Sequence, residues 1–456
     1  MTPTTSQGRR LTRVAAACAM MLSVVACSGS TASPSAPAAS ASAPASVAPS
    51  VAAATSAASA SASAPASLAP ADLNVWLWPG ALSDNTVKSV TAGYTNGTLS
   101  ASVIGDNFKQ KLLTAFTANS GIPDITGIKG EDMPYFLQKP ELFTDLNTLG
   151  VSDILSQFPD WKLKAATTPD GKLLGLPIDI GPTGLFYRED VLAKAGLPTD
   201  PAAVQAATST WADYFTFGEK LKAKTGAFLE VNIQDLFGMI LAQNGTGFVD
   251  QNGKFIGDSA AVRKAWDTVI DARKRGLTAG LQDGSPDWAS AVSAGKLPTI
   301  LGAAWHAGDI KGSVADTSGK WRVTQMPGGP ANVGGSFLTI PAASTNKEAA
   351  MALIRVLLNA QSEAQMFTDT GNFPANSAAF DQPALKAPDA FFGGQDVVSQ
   401  FATASKNMPT VYTSPLDGVV SAPFYTELNN VESSSKDPEQ AWKDAVDAAK
   451  AALAAG

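Results

Sequence analysis

Histidine and cysteine are nearly missing from this chain of 456 residues, and their scarcity removes whole classes of chemistry. His306 is the only histidine. There is accordingly no HExxH pair, no zinc set of His and Cys, and no Ser-His-Asp arrangement. Cysteine occurs only as Cys18 and Cys27. Cys18 lies in a stretch that reads as a removable signal, so the mature chain has no thiol pair and must be stabilised by burial. From Ser28 to Pro70 there is no charged and no aromatic residue. That stretch of mostly Ala, Ser and Pro cannot bury enough apolar surface to fold. Positive charge is also short, with 33 Lys and Arg against 40 Asp and Glu and a formal net charge of −7. Loss of Arg9, Arg10 and Arg13 with the signal makes the balance more acidic still. Such a surface argues against nucleic acid and against electrostatic adhesion to anionic lipid.

What the N-terminus does contain is an address. Arg9, Arg10 and Arg13 precede an apolar run from Val14 to Ala26, the pattern of a secretory signal, and the run is too short to span a bilayer. It ends in Val24-Val25-Ala26-Cys27, which resembles the bacterial lipobox. That resemblance implies cleavage before Cys27 and lipid attachment to its sulfur, with two or three acyl chains holding the chain stably. Residues 1–26 are then a signal peptide and 27–71 a lipidated cysteine with a disordered tether. As a coil the tether would reach roughly 35 Å. The expected location is the outer face of the cell membrane.

The remaining stretch, Asp72 to Gly456, is too long for one ordinary core and predicts two lobes. Leu73, Val75 and Leu77 alternate with Asn74, Trp76 and Trp78 before Pro79-Gly80, which predicts a strand. Phe108, Leu112, Ala115 and Phe116 share a helical face that stops at Asn119-Ser120-Gly121. A second strand is expected over Asp124 to Ile128. These units predict a largely parallel α/β sheet. Thr210 with Asp213, and Thr345 with Glu348, form capping pairs ahead of helices. Asp437-Pro438 opens the last helix, striped by Trp442, Val446, Ala449 and Leu453. No second hydrophobic span occurs.

Several segments together resemble the carbohydrate-type extracellular solute-binding proteins of ABC importers, the group that includes the maltose-binding protein. PIDIGPTGLFYREDVLAKAGL (Pro177 to Leu197) resembles the crossover from first lobe to second, and Thr210-Trp211 the helix start that follows it. AGKLPTILGAAWHAGDI (Ala294 to Ile310) resembles the stretch ending in a cleft tryptophan. Gly334 to Asn376 is similar in a Gly-Gly-Ser return strand, a Ser-Thr-Asn-Lys-Glu helix start and a Gly-Asn-Phe-Pro turn. The resemblance implies a two-lobe α/β clamshell with an interlobe ligand cleft. Lobe 1 would comprise 72–181 plus about 335–395, and lobe 2 182–334 plus about 396–456. It implies a monomer that captures a sugar or oligosaccharide and delivers it to ABC permease subunits, with no catalysis, cofactor or metal.

A pyranose has a C–H face that stacks on aromatic rings and a rim of hydroxyls that needs carboxylates and amides. Trp76 and Trp78 at the carboxyl end of the first strand, and Glu131 and Asp132 after the second, sit where ligands of open α/β sheets bind. Asp179 lies in the crossover. By resemblance Trp305 occupies the stacking position, and Trp288, Gly335, Ser336, Asn372 and Phe373 are further candidates. The ordinary alternatives are core packing for the tryptophans, solvated loop charges for Glu131 and Asp132, and a hinge-tying role for Asp179.

Other readings compete. Ser83-Asp84-Asn85, Lys224-Thr225-Gly226 and Ser344-Thr345-Asn346-Lys347 match the signatures of penicillin-binding enzymes, but in the wrong order. Asp369-Thr370-Gly371 occurs once, without the second copy an aspartic protease needs, and reads as a helix end. Asp250-Gln251-Asn252-Gly253 lacks the closing glutamate of a calcium loop and reads as a hairpin turn. A cell-surface glycoside hydrolase stays open, because the many acidic residues could include a catalytic pair. So does capture of a cationic ligand such as a polyamine, which rings and carboxylates would also suit.

Overall fold

The computed structural model describes residues 70–455 apart from 106, 407 and 410. Cys18, Cys27 and the tether up to residue 69 lie outside the described residues. In chain order the strands are β1 (Leu73–Leu77), β2 (Leu99–Val103), β3 (Ile125–Lys129), β4 (Gly175–Pro177), β5 (Asp179–Ile180), β6 (Thr183–Arg188), β7 (Thr299–Ala303), β8 (Trp321–Gln325), β9 (Ser336–Thr339) and β10 (Phe373–Pro374).

The first lobe is built on a five-stranded sheet of order β2-β1-β3-β9-β4. β1 runs parallel to β2 and β3, with Trp76 beside both Ser102 and Thr126. Parallel neighbours need long crossovers, and helices Asp84–Gly93 and Phe108–Ala118 supply them. The β1 alternation buries Leu73, Val75 and Leu77 on one face. Ser83, part of the apparent enzyme signature, is a helix cap whose hydroxyl accepts from the Thr86 N–H at 3.0 Å. Asn119 ends the second helix in the left-handed region at φ 46°. Among these strands only β9 is reversed, lying antiparallel to both β3 and β4 because it returns from the other lobe.

The second lobe departs from the expected parallel arrangement. Its sheet has the order β7-β6-β8, and both pairings are antiparallel. Thr210 caps helix Trp211–Thr225 by accepting from the Asp213 N–H at 3.1 Å. The second expected capping pair is corrected. Asn346, not Thr345, precedes helix Lys347–Leu357, and no side chain caps it; the Ser344 hydroxyl accepts from the Asn346 N–H at 3.1 Å. Asp437 caps the last helix, Pro438–Ala455, through the Gln440 N–H at 2.9 Å. Trp442 on that helix packs against Trp266 and Phe424, with ring centroids 5.4 and 5.5 Å away. Asp369-Thr370-Gly371 is a helix end, with Gly371 at φ 80°, and Asp250 to Gly253 is a turn between bridged Val249 and Phe255.

Two connecting segments run side by side between the sheets. The Gly181 N–H donates to Asn332 Oδ1 and the Val333 N–H to the Gly181 carbonyl, each at 2.9 Å. A Cβ on Gly181 would stand 1.7 Å from the Val333 carbonyl oxygen, so only glycine allows this approach. The pairing of β5 with β10 braces the same region.

Candidate functional site

A cavity of about 810 Å³ lies between the lobes and is lined from both. Its volume falls within the roughly 300–1,000 Å³ typical of small-molecule sites. From the first lobe come Glu131, Asp132, Tyr135, Trp161 and Lys162. From the second come Glu230, Asp235, Asp283, Trp305, His306 and Tyr425, with Tyr412 exposed at the rim. Asn332, Val333 and Gly334 form the base. Strand endings explain much of this placement. Glu131 and Asp132 follow β3, and Trp305 follows β7 from the opposite side, so carboxyl ends of strands in both lobes feed one space.

Trp305 is half-buried and held on one face. The His306 ring stacks on it with centroids 4.1 Å apart and planes 25° off parallel. His306 Nε2 lies 2.8 Å from Asp283 Oδ2, which fixes the imidazole and with it the indole. The indole Nε1 donates to the Val333 carbonyl at 3.4 Å, linking the second lobe to the connecting segment.

Lys162 is buried on the first-lobe side, where its Nζ donates to the Gly334 carbonyl at 3.3 Å and sits 4.6 Å from the Phe337 ring centre. Burial pulls its pKa down to about 8, while the Asp179 and Glu131 carboxylates favour the ammonium. Burial likewise raises Asp179, and Lys162 and Ser336 oppose the rise. Gly335 stands between the two at φ 83°, and a Cβ there would meet Lys162 Nζ at 2.5 Å. Across the cavity, burial pushes Glu230 up to about 8, with the Tyr214 hydroxyl pulling it down and the Asp235 charge pushing further up. Asp235 is raised by desolvation and by the charges of Asp283 and Glu432. Asp132 is paired with Lys109 at 2.8 Å.

Of the residues singled out from sequence, Glu131, Asp132 and Trp305 come together in the cavity. The others sit elsewhere. Trp76 and Trp78 lie on the β1 face covered by helix Phe108–Ala118, with Trp78 edge-on to Phe108 at 5.4 Å and Lys111 over Trp76 at 5.3 Å. Asp179, Gly335 and Ser336 do not line the cavity: Gly335 packs against Lys162, and Ser336 hydrogen-bonds the Asp179 carboxylate. Trp288 is 1 % exposed, on the core-facing side of helix Pro286–Ser293. Asn372 Nδ2 donates to the Gly80 carbonyl at 2.8 Å, and Phe373 is fully buried among Phe367, Phe380 and Phe401. Tyr135 could have been found by the strand-end rule that found Glu131. Lys162, Glu230, Asp283 and Tyr412 carry no local signal.

Rings beside carboxylates in an interlobe cavity suit a polyhydroxylated ring, gripped by stacking on its apolar face and by acceptors around its rim. Residues 86–393 match the bacterial extracellular solute-binding protein family. The chain belongs to this family. It is 29 % identical over 381 residues to the lactose-binding protein of Rhizobium radiobacter, covering 77 % of this chain and 87 % of that one. It is 21 % identical over 387 residues to the arabinooligosaccharide-binding protein of Halalkalibacterium halodurans, covering 81 % and 83 %. Among solved structures, an extracellular solute-binding protein of family 1 superposes with a TM-score of 0.78 at 27 % identity, over 84 % of this chain and all of the other. This solute-binding protein therefore has the two-lobe architecture of its relatives, and the cavity lies where the lobes meet.

Proposed function

We propose that this protein captures an oligosaccharide between its lobes and hands it, unaltered, to the permease of an ABC importer. The observation that carries the reading is the convergence of Tyr135 and Trp161 from one lobe with Trp305, Tyr412 and Tyr425 from the other, beside carboxylates, in a single cavity. The relatives named for lactose and for arabinooligosaccharides support a saccharide ligand. The lobes divide as 72–181 plus about 335–395 and 182–334 plus about 396–456, and open and close about the Gly181 and Val333 contact. A thermal-shift screen of neutral di- to pentasaccharides tests this. Ligand at 100 times its Kd adds about 2.7 kcal/mol of stability to the bound state. A panel that shifts nothing contradicts the reading.

The same reading places the protein at the outer face of the membrane, anchored through acyl chains on Cys27. Among the described residues no helix is long and apolar enough to cross a membrane. Cys27→Ser is expected to move the protein from the membrane fraction to the medium. Retention of the variant at the wild-type level in fractionated cells would show that something else holds it.

A further inference from the structure

The two walls of the cavity differ in charge. Among the described residues its lysines are Lys109 and Lys162, both on the first lobe, and no arginine lines it. The second-lobe wall instead gathers Glu230, Asp235 and Asp283. Glu432 stands behind them, its Oε2 accepting from the Ile233 N–H at 2.9 Å. On the cavity side His306 is committed to Asp283, and behind the wall Arg273 Nη2 donates to the Glu432 backbone carbonyl at 3.1 Å, not to a recess carboxylate.

These carboxylates are under-used. Glu230 is 4 % exposed, and its Oε1 has no hydrogen-bond partner. Asp283 Oδ1 and Glu432 Oε1 are buried and without partners as well. Asp235 uses Oδ2 to accept from Asn232 Nδ2 at 2.7 Å and faces the cavity. The recess thus offers Asp235 and Asp283 as charged acceptors with few donors to meet them, beside a Glu230 that burial keeps largely protonated until a positive charge arrives. Leaving buried acceptors unmade costs about 1–3 kcal/mol each. A sugar hydroxyl meets this need poorly, since it brings one donor and two lone pairs that the carboxylates repel, whereas an ammonium brings three donors and no lone pair. Among the described residues no group of His, Cys, Asp or Glu is arranged to hold a metal ion.

We infer that the acidic recess formed by Glu230, Asp235 and Asp283 receives a protonated amino group, so that the captured saccharide is an amino sugar or an amino-substituted oligosaccharide. The inference rests on the saccharide reading of the cavity and narrows it. The amine lies against the second lobe, and the uncharged hydroxyls face Tyr135, Trp161 and the Lys162 side. Asp235 is raised in the unliganded protein by desolvation first and then by the charges of Asp283 and Glu432, and a bound positive charge offsets both.

Two matched series read the preference by calorimetric titration of the intact protein. One is lactose, lactosamine and N-acetyllactosamine; the other is cellobiose, the chitosan disaccharide and diacetylchitobiose. In each, a hydroxyl, an amine and an uncharged acetamide exchange places on the same scaffold. The amine is expected to bind at least about tenfold tighter than its acetamide counterpart in one series or both. Asp235→Asn, at a position open to the cavity, should bring that ratio to within about twofold of one, and Glu230→Gln should do the same if it melts as the wild type does. Neutral or acetylated sugars that bind as tightly as the amines overturn the inference while leaving oligosaccharide capture intact. A ratio that Asp235→Asn does not change overturns the recess as the amine's seat. Absence of heat from all six overturns the inference too, and the wider neutral panel then decides the fate of the saccharide reading.

Discussion

Trp305→Ala is expected to weaken saccharide binding about 30-fold while the protein stays folded. The indole is half-buried, with one face covered by His306 at 4.1 Å and the cavity beside it. A tryptophan at the centre of a binding site typically costs about 2 kcal/mol or more when truncated, which is roughly 30-fold in affinity. Its contribution to the fold is smaller, because the anchoring contacts are one hydrogen bond of 3.4 Å to Val333 and the stack on His306. The melting temperature should therefore fall by only about 1 °C. Trp305→Tyr should recover part of the affinity, since a ring face is restored on the same backbone. An unchanged Kd in a folded Trp305→Ala protein would remove this residue from the site.

Gly181→Ala should be the most destabilising single change in the connecting segments. Its Cβ would stand 1.7 Å from the Val333 carbonyl oxygen, a distance no side-chain adjustment can relieve because both partners are backbone. The two segments must separate, breaking the bonds of 2.9 Å that Gly181 makes to Asn332 and Val333. A loss of about 3–4 kcal/mol places this among the exceptional substitutions, and for a chain of this size it lowers the melting temperature by roughly 5 °C. Gly312, where a Cβ would meet nothing within 4 Å, provides the control, and its replacement by alanine should leave the melting curve in place. Equal melting of the two variants would mean that the segments are not tightly apposed.

The fold was legible wherever a local rule and the tertiary packing agree. The alternation of β1, the Thr210 and Asp437 caps, and the Gly371 and Gly253 turns all follow from a few adjacent residues. The antiparallel second sheet did not, because strand direction there is set by where β6 enters from the first lobe and not by anything inside β6, β7 or β8. The cavity divides in the same way. Glu131 and Trp305 immediately follow strands, so the strand-end rule reaches them. Trp76 and Trp78 satisfy that rule too, yet the helix Phe108–Ala118 covers their face, and which face a helix covers is not written in a five-residue strand. Lys162, Glu230, Asp283 and Tyr412 are far apart in sequence and meet only when the lobes are assembled.

Calorimetric titration of the protein with the saccharide giving the largest thermal shift, followed by analysis of the recovered ligand, tests oligosaccharide capture most directly. The prediction is one saccharide per chain, a Kd of about 1 μM or tighter, corresponding to roughly −8 kcal/mol, and ligand recovered intact. No heat with any member of the panel, or recovery of the saccharide as cleaved products, would contradict it.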